Sequence, residues 1–172
     1  MKLLIVDDEE LTRTGVISSI DWQSIGIQEV LQADDGINGI EMARVHRPDI
    51  VLCDVRMPRL DGIAMLEQLE EILPDIVPVF MSGYSDKEYL KAAIKLKAVN
   101  YIEKPLNPVE IRDAIMEARD LCLEKKRTRQ NASIHSMESA SRLALLLTQP
   151  FAHAKESIDQ LIAELSLSIS NT

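Results

Sequence analysis

Five short apolar runs, at residues 3–6, 30–31, 50–53, 77–81 and 101–102, alternate with longer stretches of helical periodicity. Strands spaced this widely cannot pair as hairpins. They line up in parallel, with the intervening helices covering both faces of the sheet. The expectation is an α/β domain of five strands and five helices. Two of the helices show clear stripes, Ile63, Leu66, Leu69 and Leu73 in one, and Ile111, Ala114, Ile115, Ala118, Leu121 and Cys122 in the other. Ser85 with Glu88, and Asn107 with Pro108 and Glu110, are helix-start signals in which a short side chain caps free N–H groups.

Composition narrows the class of function. The chain has 172 residues, 46% of them hydrophobic, which is enough for a real core and something appended. Its net charge of −9 is uneven: 13 Lys and Arg face 23 Asp and Glu through Cys122, and 6 face 5 beyond it. An acidic first part disfavours direct contact with nucleic acid, although much of the excess serves solubility alone. The first six residues are apolar but too short for a signal peptide, and no stretch approaches the length of a membrane span. A cytoplasmic protein without membrane contact is expected. Cys53 lies in a strand-like run and reads as a buried free thiol, Cys122 lies in a helical pattern, and His46, His135 and His153 are scattered.

The domain boundary is expected near residue 122, with 123–172 as linker and helical extension. From 124 to 136 the chain is polar, basic at first, and reads equally as a helix extension or a linker. Beyond it, Leu143, Leu146 and Leu147 precede Pro150, and Ile158, Leu161, Ile162 and Leu165 recur at helical spacing. Two short amphipathic helices make no core alone, so they must pack on the first domain, on a partner chain, or on a part that is absent.

The chemistry gathers where the runs end. Asp7 and Asp8 follow the first, Asp54 the third, Ser82 the fourth, and Lys104 with Pro105 the fifth. A parallel sheet brings such positions to its carboxyl edge, where open α/β sheets bind ligands. A carboxylate attacks phosphate only when charge repulsion is cancelled, and a bridging Mg²⁺ or Mn²⁺ does this. Asp7 and Asp8 are the candidate cation ligands, though the pair alone reads equally as an acidic helix cap. Asp54 is the candidate nucleophile, an aspartyl phosphate being a known covalent intermediate. Alone it would be a turn or cap residue, but it opens the tight loop Asp54-Val55-Arg56-Met57-Pro58-Arg59-Leu60-Asp61-Gly62, in which the Arg56 carbonyl could also face the metal. Asp61 and Gly62 read as turn and helix-start residues. Ser82 could hydrogen-bond a phosphoryl oxygen, with Gly83 letting backbone N–H groups approach it, where a lone Ser-Gly is otherwise a turn. Lys104 aims a point charge at the same edge, where a lone Lys-Pro is otherwise a surface turn.

Taken together, Asp7-Asp8-Glu9, Asp54 in D-V-R-M-P-R-L-D-G, Ser82-Gly83, and Tyr101 before Lys104-Pro105 closely resemble the receiver domain of two-component response regulators, over about residues 1–122. The resemblance implies a flavodoxin-like three-layer (βα)5 sandwich with sheet order 2-1-3-4-5. It implies Mg²⁺-dependent transfer of a phosphoryl group to Asp54 from a sensor histidine kinase, in a regulatory protein rather than an enzyme. It also implies that Ser82 and Tyr101 act as a switch pair read out on the face of the fourth helix, fifth strand and fifth helix. A packing role for Tyr101 is the plainer alternative. Arg56 and Tyr84 resemble the variable positions that set the lifetime of the phosphoryl group.

A finer likeness lies in Ile20-Asp21-Trp22 through Gly26 and in Ser82-Gly83-Tyr84-Ser85-Asp86, both similar to response regulators with an AraC-type DNA-binding output domain. Lys97 departs from the Gly common there. No recognition helix follows residue 122, so the expectation is a chain whose output domain is missing and which does not itself bind DNA. The alternative is a stand-alone receiver serving a phosphorelay or a protein partner. A homodimer is expected through the face of the fourth helix, fifth strand and fifth helix or through the apolar positions of the tail, with packing of the tail on the same receiver as the open alternative. Phosphatases with an Asp nucleophile place a second Asp two residues on, where this chain has Arg56. A purely structural pseudo-receiver would not need the acids, hydroxyl and lysine together.

Overall fold

Five strands lying between Lys2 and Glu103 form a sheet whose every pairing is parallel, as the alternation of strand and helix requires. In a computed structural model, residues 1–83 and 94–147 are described. The elements are β1 (Lys2–Val6), α1 (Glu10–Ser19), β2 (Glu29–Ala33), α2 (Gly36–His46), β3 (Ile50–Asp54), α3 (Gly62–Ile72), β4 (Val77–Ser82), β5 (Asn100–Glu103) and α4 (Pro108–Leu147). The expected start of a further helix at Ser85 and Glu88 lies outside the described residues, as do Ile158, Leu161, Ile162 and Leu165, so α4 is the helix expected as the fifth. The strand order is β2-β1-β3-β4-β5, which is the flavodoxin-like arrangement.

Register decides what meets at the carboxyl edge. Val6 stands opposite Cys53, so Asp7 and Asp54 leave neighbouring strands at the same level. Asp54 pairs with Met81, and Ser82 pairs with Glu103, which puts Lys104 one step beyond Ser82. Neighbouring strands are about 4.8 Å apart, within reach of a side chain.

The core has two compartments, one on each face of the sheet. Successive strand residues point to opposite faces. Leu3, Ile5, Ile50, Leu52, Val77, Val79 and Met81 pack with Val16 of α1, with Trp22, and with Ile111, Ala114, Ile115, Ala118 and Cys122 of α4. Leu4, Val6, Val51, Cys53 and Phe80 pack with Ile40 and Ala43 of α2 and Met65, Leu66 and Leu69 of α3. Each fully buried Leu or Ile contributes about 1.5–3 kcal/mol. Trp22 also donates its indole N–H to the Ile17 carbonyl (2.9 Å), which fastens the turn after α1 to that helix.

Caps account for the helix starts. Asp61 accepts from the Ala64 N–H at 2.7 Å and Asp35 from the Asn38 N–H at 2.9 Å. Asn107 accepts from the Val109 N–H at 2.9 Å, and Pro108 is the first residue of α4. Asp61 and Asn107 follow the sequence signals; Asp35 carried none that was read. Helix α4 is longer than expected. Residues 124–136 are helix rather than linker, and Leu143, Leu146 and Leu147 sit on the same helix rather than on a short one of their own. No Gly or Pro occurs between Pro108 and Pro150, so nothing in the chain breaks the helix. The chain divides into two compact units, Met1–Lys125 and Lys126–Thr172. Among the described residues no helix is long and apolar enough to cross a membrane.

Candidate functional site

Three carboxylates converge at the carboxyl edge. Asp7 follows β1, Asp54 ends β3, and Asp8 is next along the chain; one carboxylate oxygen from each lies within 4.8 Å of the others. Asp7 and Asp54 are buried and Asp8 is exposed, so the cluster opens to solvent on the Asp8 side. Lys104 enters from the end of β5 by a cis peptide bond to Pro105. Its ammonium donates to Asp54 Oδ2 at 2.5 Å and to Asp7 Oδ2 at 3.0 Å.

Backbone donors fix the remaining oxygens. The Glu9 N–H donates to Asp7 Oδ1 at 2.9 Å, and the Arg56 N–H to Asp54 Oδ1 at 3.0 Å. The N-cap of α1, Glu9, makes no side-chain cap hydrogen bond, and Asp7 reaches only the Glu9 N–H before the helix, so its place is in the cluster rather than in a helix cap. Burial pushes the Asp7 carboxyl above the usual carboxylate range, against the hydrogen bond from Lys104 that pulls it down. For Lys104, burial pulls the ammonium down, but the hydrogen bonds to Asp54 and Asp7 outweigh it and leave it raised, hence charged at neutral pH.

Ser82 is buried at the end of β4, and its carbonyl accepts the Lys104 N–H at 2.8 Å, so hydroxyl and lysine are carried by hydrogen-bonded strand ends. Among the described residues, nothing lies within 4 Å of where a Cβ on Gly83 would stand. Tyr101 lies on β5, half-buried against the α2–α3 side of the core, with its N–H donated to Asn100 Oδ1 at 2.8 Å. Tyr84 lies outside the described residues. Gly62 starts α3 against the Asp54 backbone, where a Cβ would run into the Asp54 carbonyl oxygen.

Two features escaped the sequence. Arg13 donates from Nη1 to the Asp7 carbonyl at 2.6 Å, while its buried Nε has no partner among the described residues. Arg59, in the loop after Asp54, pairs with buried Asp35. The available signal for Asp35 was an Asp-Gly pair after an apolar run, a helix-start pattern; nothing local announced either arginine.

Residues 3–116 match the response regulator receiver domain family. The chain belongs to that family. The receiver superposes on the crystal structure of a two component transcriptional regulator AraC from Clostridium phytofermentans with a TM-score of 0.67 and 45% identity, over 74% of this chain and 98% of that one. The REC domain of AraT, a response regulator from Geobacillus stearothermophilus, gives a TM-score of 0.65 and 31% identity over 74% and 97%. The transcriptional regulatory protein HptR of Staphylococcus aureus is 26% identical over 160 residues, 93% of this chain and 62% of that protein. The chain spans about half the length of the curated relatives it matches.

Receiver domains bind Mg²⁺ at an acidic pocket, and this receiver has a donor set that fits. Three carboxylates within 4.8 Å of one another suit a hard cation that takes oxygen ligands. Lys97 adopts φ 51°, a left-handed conformation that glycine takes more easily, which is the physical sense of its departure from the Gly of similar sequences.

Proposed function

We propose that this receiver is a phosphorylation-dependent switch that accepts a phosphoryl group on Asp54 from a sensor histidine kinase. The observation that carries the reading is Lys104 joined to both Asp7 and Asp54, with Asp8 alongside: a nucleophile, cation ligands and a fixed positive charge within one side-chain radius. Asp54 Oδ attacks phosphorus in line as the bond from phosphorus to the donor's nitrogen breaks, and the electron pair leaves with the imidazole. Asp7, Asp8, Asp54 and the Arg56 carbonyl would hold Mg²⁺ or Mn²⁺, which when bound would supply positive charge that offsets repulsion between carboxylate and phosphoryl oxygens. Lys104 holds one phosphoryl oxygen, and the Ser82 hydroxyl and Gly83 N–H take others. Ser82 drawn toward the phosphate and Tyr101 turning inward are the switch, with Arg56 and Tyr84 shielding the phosphoryl group from water.

The output we propose is transcription, through an AraC-type DNA-binding domain outside this chain. A 45% identical structure described as a two component transcriptional regulator AraC, the name of HptR, and matches that take in only about half the length of curated regulators support it. The region after the receiver carries the connection to that output or an association surface for a second copy. Sedimentation of the chain with and without a phosphate mimic separates them, a monomer in both states rejecting association.

Incubation with Mg²⁺ and acetyl phosphate, read by intact mass, tests the phosphoacceptor. One phosphoryl group per chain is expected, and none in Asp54→Asn. A full gain in Asp54→Asn rejects the assignment. Unchanged Mg²⁺ titration in Asp8→Ala would reject Asp8 as a ligand.

A further inference from the structure

The loop from Asp54 to α3 is pinned at its two ends and needs something to hold its middle. Val55 donates its N–H to Met81 O and Gly62 donates to Val55 O, both at 3.0 Å. Between them, the Leu60 N–H reaches Pro58 O at 2.8 Å, and the Leu60 carbonyl accepts the Gly36 N–H at 3.2 Å. That last bond joins the loop to the first residue of α2. The approach is close: a Cβ on Gly36 would lie 2.5 Å from Leu60 O and 3.0 Å from Leu60 Cβ.

Arg59 sits at the apex with φ 65°. L-residues with long side chains avoid this left-handed conformation, and Gly or Asn would take it at lower cost. An arginine there gains something from its side chain. Its guanidinium pairs with Asp35, whose residue is 1% exposed, and stands 4.0 Å from Asp34 Oδ1. Asp35 divides its oxygens: Oδ1 caps α2 through the Asn38 N–H, and Oδ2 holds Arg59. The same carboxylate thus ties the start of α2 to the loop that begins at Asp54.

We propose that Arg59 and Asp35 form a positioning clamp for the phosphoacceptor loop. The clamp holds residues 55–62 against the start of α2, so that the Arg56 carbonyl is presented to the cation site without reorganisation. Neither residue touches the reacting atoms, and the proposal rests on the reading of the edge as a Mg²⁺-dependent phosphoacceptor site.

The decisive variant is the double substitution Asp35→Asn with Arg59→Gly. Asn keeps the cap on α2, Gly fits the left-handed apex, no buried charge is left unpaired, and net charge is unchanged. A merely structural pair leaves metal binding in this variant as it was. The clamp predicts Mg²⁺ affinity, measured by calorimetry on the unphosphorylated protein, roughly tenfold weaker, as for residues that orient metal ligands. It also predicts that the Gly36 amide exchanges about tenfold faster without metal, while the melting temperature does not fall. Arg59→Lys, which keeps the charge, should recover part of the affinity. Mg²⁺ affinity within about twofold of wild type would overturn the clamp, whether or not Gly36 exchange changes. A wild-type chain that gains no phosphoryl group would instead reject the proposed function, and the calorimetry and exchange would still decide the clamp.

Discussion

At the residue scale, two buried carboxylates lean on one ammonium. Lys104 supplies the counter-charge for both Asp7 and Asp54. Lys104→Met leaves them facing each other, and with the lysine partly open to solvent the expected loss is about 1–3 kcal/mol in metal-free buffer. Thermal melting should register it as a fall of several degrees, recovered in part by Mg²⁺. Asp7→Asn should move the other way. Burial opposes the charge on Asp7, so neutralising it is expected to raise the metal-free melting temperature by a few degrees and to remove most of the rise that Mg²⁺ produces. A lower metal-free melting temperature would contradict that sign. Asp7, Asp8, Asp54 and Lys104 were legible because each stands at or one residue past the stop of an apolar run, and a parallel sheet makes run ends neighbours. Arg13 and Arg59 were not, and neither was the pairing of Asp35 with Arg59, because these contacts depend on how separate elements close against one another.

The elements themselves were legible through periodicity, and their limits less so. Strand β2 extends to Glu29–Ala33, beyond its two apolar centre residues, because pairing with β1 recruits Glu29 and Gln32 whatever their polarity. Helix α4 outran its apolar stripe for a different reason: without a Gly or Pro, a helix nucleated by the packed segment 111–122 propagates through polar residues at little cost. Where α3 begins, the constraint is steric. Gly62→Ala would drive a methyl into the Asp54 carbonyl, and a loss of about 1–3 kcal/mol is expected in urea denaturation, with slower phosphoryl acceptance because the backbone of the proposed phosphoacceptor must shift. An alanine variant with wild-type stability would mean that the helix start gives way freely.

For the whole molecule, every buried residue of the two core compartments among the described residues falls between Leu3 and Cys122. A chain ending at Lys125 should therefore fold alone and melt within about 2 °C of the full chain; failure to fold would show that the following residues complete the core. Cys53 and Cys122 are both buried, and burial followed by the nearby Asp54 charge pushes the Cys53 thiol far up. Neither should be alkylated by iodoacetamide until the chain unfolds, so labelling should track the unfolding transition. The division of the core by the sheet reaches beyond stability. Leu52 and Cys53 are joined by a peptide bond yet belong to opposite compartments, whereas Leu52 shares its own with Trp22 and Ile115. Substitution effects add across separate neighbourhoods and fail to add within one. As related sequences drift apart, a change at Leu52 should accordingly be answered by changes at positions such as Trp22 or Ile115, while the residue beside it varies independently.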